Sequence, residues 1–346
     1  MKKILITALI AISCIFSGCQ STSIEENKNI EVRGITPKIS LITTAYDIYR
    51  INVLLPGVFN EELYEKPGKD SLDYYSWAGE TYTSMNNDMK IKLRNIFKDY
   101  GDWTYIDKTI ALEDDASVED ITNAINEGLS LDESMKSDVE LFFNYFYNEY
   151  FKDLIHKNKS KINKSVKEAN KFIEKNDIDI FSFMEKSSGI KFKKDYKALF
   201  YYDISPIGAM GFDVDNYKIS TIQPNTDSKT LLQTPFHEYS HELFRSFTSS
   251  KEFSDINNEL LKNEELAEGY DLLGKTAYDW TGWCEENLVN GFAEYLSYKF
   301  YGKKPNDSLY TYDLEFCNYL IEKDFNPEKT SLKDISIEFY KSKIWI

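Results

Sequence analysis

The chain has 346 residues, with 57 acidic and 41 basic side chains, and its formal charge at pH 7 is −16. This acidic balance argues against nucleic-acid binding through a basic face. The length is sufficient for one large hydrophobic core or two.

The first nineteen residues have the pattern of an export signal. Two lysines precede an apolar run at 4–16, which is too short to span a bilayer, and Phe-Ser-Gly-Cys ends at Cys19. This ending resembles the bacterial lipobox, in which cleavage before the cysteine leaves that residue as the lipid-bearing N-terminus. We therefore expect a signal peptide at 1–18 and a lipid anchor at Cys19, which would hold the protein on the extracytoplasmic side of the cell membrane. The alternative is an ordinary signal peptide with a coincidental cysteine.

The following residues are predicted to form a tether and then a helical region. Residues 19–34 are polar and typical of a flexible linker. Residues 35–190 are mostly helical in pattern, with Ser117 and Asp120 at the positions of a capping box. The aromatic residues from Phe142 to Phe151 have helical spacing, so we assign them to a core and not to a ligand-binding cage. The basic run at 157–171 is predicted to be a solvated helix face, with lipid-headgroup contact as the lesser alternative.

The composition changes after Gly189. Segments 196–204 and 211–224 are rich in β-branched and aromatic residues and are predicted to be two strands. Helices are then predicted at 234–247 and, in outline, at the ranges 255–268, 283–301, 308–323 and 331–342. We therefore predict an α+β fold, mostly helical, in which a small sheet precedes the first helix of a catalytic region at 191–346. Cys284 and Cys317 could form a disulfide or remain separate thiols.

A motif of the form H-E-x-x-H lies in the helix at 234–247. Because a helix turns about 100° per residue, His237 and His241 lie on nearly the same face and can present two imidazole nitrogens to one cation. Glu238 lies beside that face, where its carboxylate can reach a water next to the metal without ligating the metal. Two nitrogen ligands and a carboxylate suit zinc best. The alternative is that both histidines are satisfied polar groups of a partly buried helix.

A catalytic zinc ion needs a third protein ligand. In the segment at 283–302, Glu286, Asn290 and Glu294 repeat at spacings of four and lie on one stripe of the predicted helix. Glu286, in the first turn, is the expected ligand, and Glu294 and Glu285 are the alternatives. A neutral amide is a poor zinc ligand, so Asn290 is expected to support the site from outside the ligand set.

Three segments resemble the gluzincin metallopeptidases and occur in the order of that clan. Residues 208–212, GAMGF, resemble the Gly-Ala-Met-Glu-Asn element of zinc aminopeptidases, HEYSHELF matches the zinc helix, and VNGFAEYLSY resembles the downstream Asn-Glu-Gly-Phe-Ala ligand segment. Gly211 stands where the first element has the glutamate that holds a substrate's free amine, and Asn290 stands where the clan has its ligand glutamate. Residues 195–300 are also similar to uncharacterised bacterial secreted proteins and lipoproteins, with Glu286 at the acidic position of the second helix.

The resemblance implies a zinc peptidase that hydrolyses peptide or protein substrates, and the predicted lipid on Cys19 would anchor it to the membrane. A substrate is expected to lie extended along the strand near 211–214, where it would add to the sheet edge. The alternatives are a zinc amidase that acts on cell-wall peptides and a non-catalytic surface binding protein that retains the helix as a scaffold. The expected site comprises three zinc ligands, one base and two candidate donors to the oxyanion, in that order: His237, His241, Glu286, Glu238, Tyr270 and Tyr278.

Overall fold

The computed structural model describes residues 29–57, 69–275 and 277–344, which form the predicted α+β, mostly helical fold. Residues 1–28, with the predicted signal peptide and Cys19, lie outside the described residues. Short π-helical turns lie at Arg50–Leu54, Tyr147–Phe151 and Tyr270–Gly274. The helices of the described part are α1 (Pro37–Tyr49), α2 (Lys69–Ser84), α3 (Asn87–Phe97), α4 (Asp102–Thr109), α5 (Val118–Gly128), α6 (Glu133–Phe146), α7 (Lys152–Asn176), α8 (Ile180–Ser188), α9 (Gln233–Thr248), α10 (Lys251–Leu260), α11 (Glu264–Gly269), α12 (Trp280–Tyr301), α13 (Asp313–Glu322) and α14 (Leu332–Lys343).

Four strands of the described part form one mixed sheet in the order β1-β2-β4-β3. They are β1 (Ile30–Arg33), β2 (Lys197–Tyr202), β3 (Gly211–Val214) and β4 (Tyr217–Ile222). Strand β2 pairs in parallel with both β1 and β4, and β3 pairs antiparallel with β4 through a two-residue turn. The sheet therefore has β1 at one edge and β3 at the other.

The sheet separates two hydrophobic cores. Successive side chains of a strand point to opposite faces, and β2 divides its residues accordingly. Ala198 and Phe200 pack with residues of α7–α14, whereas Leu199 and Tyr201 pack mainly with residues of α1–α6. Because both faces of β2 are covered, its sequence reads as a continuous apolar run without alternation.

Two features of the helical region confirm the sequence predictions. Ser117 and Asp120 form the predicted capping box at the start of α5. Of the aromatic residues predicted to be core, Phe142, Phe143, Phe146 and Phe151 are fully buried. Tyr145, Tyr147 and Tyr150 are half-buried and pack against the same core. The helical spacing therefore predicts the buried phenylalanines of this region.

The predicted tether at 19–34 is wrong at its end, since Ile30–Arg33 form strand β1. Ile30 and Val32 are buried, and every residue of β1 pairs with β2, more than 160 residues further along the chain. Four residues with two aliphatic side chains give too weak a local pattern to predict a strand, because the partner supplies the stabilisation.

Several predicted boundaries also differ from the structure. The segment 211–224, predicted to be one strand, is the β3-β4 hairpin. The helix predicted at 255–268 is two helices, because the side chain of Asn263 accepts a hydrogen bond from the Leu266 N–H and starts α11. The helix predicted at 308–323 begins only at Asp313, whose carboxylate accepts the N–H groups of Leu309 and Tyr310 and holds the preceding residues in a turn.

Cys284 and Cys317 are both buried as free thiols, so the described fold has no disulfide between them. Among the described residues, no helix combines the length and apolar character needed to cross a bilayer.

Helices α12 and α13 approach closely at Gly291. A Cβ atom at this position would lie 2.5 Å from the main-chain oxygen of Asp313 and 3.0 Å from Phe316 Cβ. Real Cβ atoms do not come this close to backbone atoms, so only glycine permits the observed packing of these two helices.

We predict that Gly291→Ala destabilises the fold by about 1–3 kcal/mol, because the added methyl group forces α12 and α13 apart. The matched control is Gly79→Ala in α2, where the nearest atom to the added Cβ would be 4.0 Å away. That change should preserve or raise stability by up to about 1 kcal/mol, since alanine favours helices over glycine. Urea unfolding of both variants is the measurement, and equal effects would contradict the close approach.

Candidate metal centre

Helix α9 carries the histidine motif beside its apolar face. His237, Glu238 and His241 are half-buried. The apolar residues recur at spacings of three and four, which fixes the rotation of the helix about its axis. They form one buried face: Phe236, Tyr239, Leu243, Phe244 and Phe247.

Helix α12 packs against α9 and brings an acidic side chain to the two histidines. It begins after Asp279, whose carboxylate accepts a hydrogen bond of 2.7 Å from the Gly282 N–H. Glu286 and Asn290, one turn apart, are 7% and 8% exposed. A buried charge needs a partner, and the only described histidines near Glu286 are those of α9.

Three side chains form a cluster with the spacing of metal ligands. His237 Nε2 lies 3.3 Å from one carboxylate oxygen of Glu286, and His241 Nε2 lies 3.5 Å from the other. The ligand atoms all lie within 4.8 Å of one another. Ligands of a tetrahedral zinc ion lie about 3.4 Å apart, whereas a direct N–H···O hydrogen bond is about 2.9 Å long. The spacing therefore fits a cation between the three groups better than hydrogen bonds between them.

The Glu286 carboxylate has an unused acceptor. Its Oε2 is fully buried and makes no hydrogen bond within the described residues, although His237 Nε2 is 3.3 Å away. Leaving a buried charged oxygen without a partner costs free energy. A cation held by the two Nε2 atoms and this carboxylate would remove that cost, so the donor set fits a metal ion.

The other ring nitrogen of each histidine has its own acceptor. His237 Nδ1 lies 3.0 Å from the Asn290 side-chain oxygen, and His241 Nδ1 lies 3.2 Å from Glu285 Oε1. A proton on each Nδ1 leaves both Nε2 atoms free to bind a metal, and such contacts fix the orientation of the rings. Glu285 also accepts a hydrogen bond from the Thr248 hydroxyl. Asn290 and Glu285 therefore support the histidines and are not in the cluster itself.

Asn290 connects His237 to α13. Its side-chain nitrogen donates a 2.7 Å hydrogen bond to Asp313 Oδ2, which also accepts the N–H groups of Leu309 and Tyr310. Several donors on one carboxylate hold it in a single orientation. The orientation of the His237 ring is thus set by a chain of contacts that ends at the start of α13.

Protons and a cation compete for His237. Burial lowers the pKa of this imidazole, but its contact with the Glu286 carboxylate and the charges of Glu238 and Glu286 raise it overall, to about 9. Metal ions bind the neutral imidazole. Metal affinity at this site should therefore fall as the pH falls.

Glu238 lies against the edge strand. A Cβ atom on Gly211 would be 2.5 Å from Glu238 Oε2 and 2.7 Å from its Cβ, so the carboxylate occupies the space that a side chain of β3 would fill. Burial raises the pKa of the Glu238 carboxyl above its usual range, against the charges of His237 and His241. The glutamate of the aminopeptidase element, absent at Gly211, could not be accommodated here without moving Glu238.

Trp103 of α4 reaches the outer edge of β3. Its indole N–H donates a 3.3 Å hydrogen bond to the Gly211 oxygen, and its ring stacks on Phe212 at 5.8 Å while remaining half exposed. Met210 faces β4, where its oxygen accepts the Thr221 N–H. In an edge strand, the N–H and C=O groups of successive residues face the neighbouring strand and the outside in turn. Since Met210 faces β4, the backbone groups of Gly211 and Asp213 face outward. Sequence reasoning did not associate Trp103 with this site, since α4 precedes β3 by about 100 residues.

The two predicted oxyanion donors have different environments. The Tyr270 hydroxyl donates to the Tyr278 carbonyl oxygen at 3.1 Å, and the Tyr270 ring packs on Trp280. The Tyr278 hydroxyl lies 3.3 Å from that of Tyr310. Burial, followed by the charge of Glu286, raises the pKa of Tyr278 to about 12 and that of Tyr310 higher. Tyr278 and Tyr310 thus lie within electrostatic range of the cluster, whereas Tyr270 positions the Tyr278 main chain.

Glu294 does not join the cluster. Its carboxylate accepts a 2.8 Å hydrogen bond from the Gln233 side chain at the start of α9. Two turns of α12 separate Glu294 from Glu286. Glu294 therefore lies beside the start of α9 and not beside the two histidines, so the alternative assignment of Glu294 as the third ligand does not fit the structure.

Comparisons of the chain with protein-family models, curated proteins and solved structures gave no match.

We predict that Glu286→Ala reduces bound zinc from about one equivalent to a small fraction, because the site loses its only charged ligand. Glu294→Ala is the matched control, from the same face of α12, and should retain the metal. Metal analysis after dialysis is the measurement, with circular dichroism to verify folding. Tight zinc binding by a folded Glu286→Ala variant would disprove this ligand assignment.

Proposed function

We propose that this protein is a lipid-anchored, zinc-dependent peptidase of the gluzincin type. The observation that carries the proposal is the cluster of two imidazole nitrogens and one carboxylate with Glu238 beside it. His237, His241 and Glu286 would hold the zinc ion, which is the two-histidine, one-glutamate ligand set of several zinc peptidases. When bound, zinc supplies a Lewis acid that polarises a carbonyl group and makes a neighbouring water more acidic.

Glu238 is the proposed general base. It is half-buried beside the histidines without being a member of the ligand cluster, so its carboxylate is available to a water molecule. The raised pKa of its carboxyl group brings the proton affinity nearer to that required for transfer at neutral pH. Glu238 would accept a proton from the attacking water and then deliver it to the leaving amine.

The pair Tyr278 and Tyr310 is the proposed donor to the oxyanion. Both groups retain their protons at neutral pH, and their hydroxyls lie 3.3 Å apart. One hydroxyl can therefore donate to the other, which leaves a second O–H for the negative charge that develops on the substrate oxygen. Tyr310 replaces Tyr270 in this role.

The outer edge of β3 is the proposed substrate-binding strand. Gly211 lies directly beside Glu238, and the outward backbone groups of Gly211 and Asp213 can pair with an extended peptide. Trp103 holds the Gly211 oxygen, so a pairing peptide must displace this indole or bind beyond it. An extended backbone is recognised here through its amides, which favours peptides as the substrate class.

Replacing the base should separate activity from metal binding. We predict that Glu238→Gln lowers kcat/KM for a cleaved peptide by at least a thousandfold while zinc content stays near one equivalent. Glu259→Gln, an exposed position on α10, is the control for loss of one carboxylate. Digests of a peptide library identify the substrate, and unchanged kinetics of Glu238→Gln would refute the proposed mechanism.

Blocking the N-terminal amine of a peptide substrate tests whether cleavage requires a free amine when position 211 is a glycine. Since no carboxylate at this position can hold a free N-terminus, N-terminal acetylation of a cleaved peptide should change kcat/KM by less than about tenfold, an effect of 1.4 kcal/mol or less. Mass spectrometry of matched acetylated and free peptides measures the ratio. A requirement for the free amine would mean that another acid recognises it.

A further inference from the structure

Helix α7 concentrates positive charge in an acidic protein. Its 25 residues contain eight lysines and three acidic residues, in a chain of formal charge −16. All eight lysines are exposed. A local charge opposite to that of the whole protein points to a partner of negative charge.

The lysines of α7 form a continuous stripe. At 100° per residue, five of them lie within about 40° of one line along the helix, over a length of about 27 Å. Glu168 is the one acidic residue in this stripe. The opposite face, with Ile162, Ala169 and Ile173, is buried in the core. The lysine stripe consists of Lys157, Lys161, Lys164, Lys171 and Lys175.

Three lysines of the stripe have no carboxylate within 4.0 Å among the residues that the structure describes: Lys157, Lys171 and Lys175. Lys164 lies 3.8 Å from Glu168, with both side chains mostly exposed, and an exposed pair at this distance contributes little. These four lysines therefore keep their charge for an external partner.

Helix α7, which carries the lysine stripe on its outer face, is adjacent to the first strand of the described residues. Helix α7 packs on β1, and Gly34 at the end of β1 lies against Ile162 and Val166. The eleven residues from Cys19 to Asn29 can span at most about 40 Å. A lipid on Cys19 would therefore hold this side of the protein close to the bilayer.

We propose that the lysine stripe of α7 docks on the anionic surface of the membrane to which the protein is anchored. Lipid attachment and a basic patch together orient a protein on a bilayer, since each lysine near anionic headgroups adds attraction. Strand β1 is at the opposite edge of the sheet from β3, about 14 Å away. Docking through α7 thus directs β3 and the candidate metal centre away from the lipid. This inference rests on the proposed anchor at Cys19 and not on peptidase activity.

The test uses the lipidated protein in vesicles of phosphatidylcholine, with or without a third of phosphatidylglycerol. Cofractionation with both kinds of vesicle is measured first and reports the anchor. Lysines are then labelled with an amine-acylating reagent and quantified by mass spectrometry. We expect at least fivefold slower labelling of the lysine stripe on anionic vesicles than on neutral ones, and loss of this protection in 0.5 M salt, where the screening length is only a few ångströms. Lys329 and Lys341 are exposed internal controls that should label equally on both.

A charge-reversed variant makes the test specific. Lys164→Glu/Lys171→Glu should abolish the protection of Lys157 and Lys175, whereas Lys329→Glu/Lys341→Glu should leave it intact. Protein that cofractionates but labels equally on both vesicles overturns the docking and leaves the anchor. Equal protection on neutral vesicles also overturns it, since the tether alone would then explain the result. If the protein binds neither kind of vesicle, both the proposed anchor and the proposed docking are wrong.

Discussion

The contact of Glu286 with two histidines is the interaction on which the site depends. Two imidazoles on one turn of α9 need a counterpart at a fixed height and rotation, and α12 supplies it from within the core. The rotation of α9 follows from its apolar face, and that of α12 from its close packing against α13 at Gly291. A small slip of either helix would separate the ligand atoms, so the surrounding packing preserves the geometry of a few polar atoms.

Sequence reasoning reached the features that depend on local periodicity. His237, Glu238 and His241 follow from helical spacing. The preference for Glu286 over Glu294 relied on a predicted first-turn position, but α12 begins at Trp280, so Glu286 lies in the second turn of the helix. Periodicity cannot show contacts between distant segments. Strand β1 is too short to be recognised without its partner, and Trp103 meets Gly211 across about 100 residues of intervening chain. Such contacts are fixed by tertiary packing, which no local pattern encodes.

The polar groups behind the site form two separate supports. Asn290 orients His237 and is itself held by Asp313, whereas Glu285 orients His241 and is held by Thr248. The two supports differ in charge, since an amide contacts the first histidine and a carboxylate contacts the second. A carboxylate partner makes an imidazole a stronger electron donor than an amide does. The two histidines are therefore not equivalent as ligands, although they share one helix.

The bond between Trp103 and Gly211 also bears on how the protein behaves in a crowded compartment. An open edge strand is a template for pairing with another chain, and sheets with uncovered edge strands tend to self-associate. The indole covers the outward oxygen of Gly211 and stacks on Phe212, so β3 does not offer a continuous row of free backbone groups. A side chain from the helical half thus covers part of this edge and interrupts the row of backbone groups with which a second chain could pair.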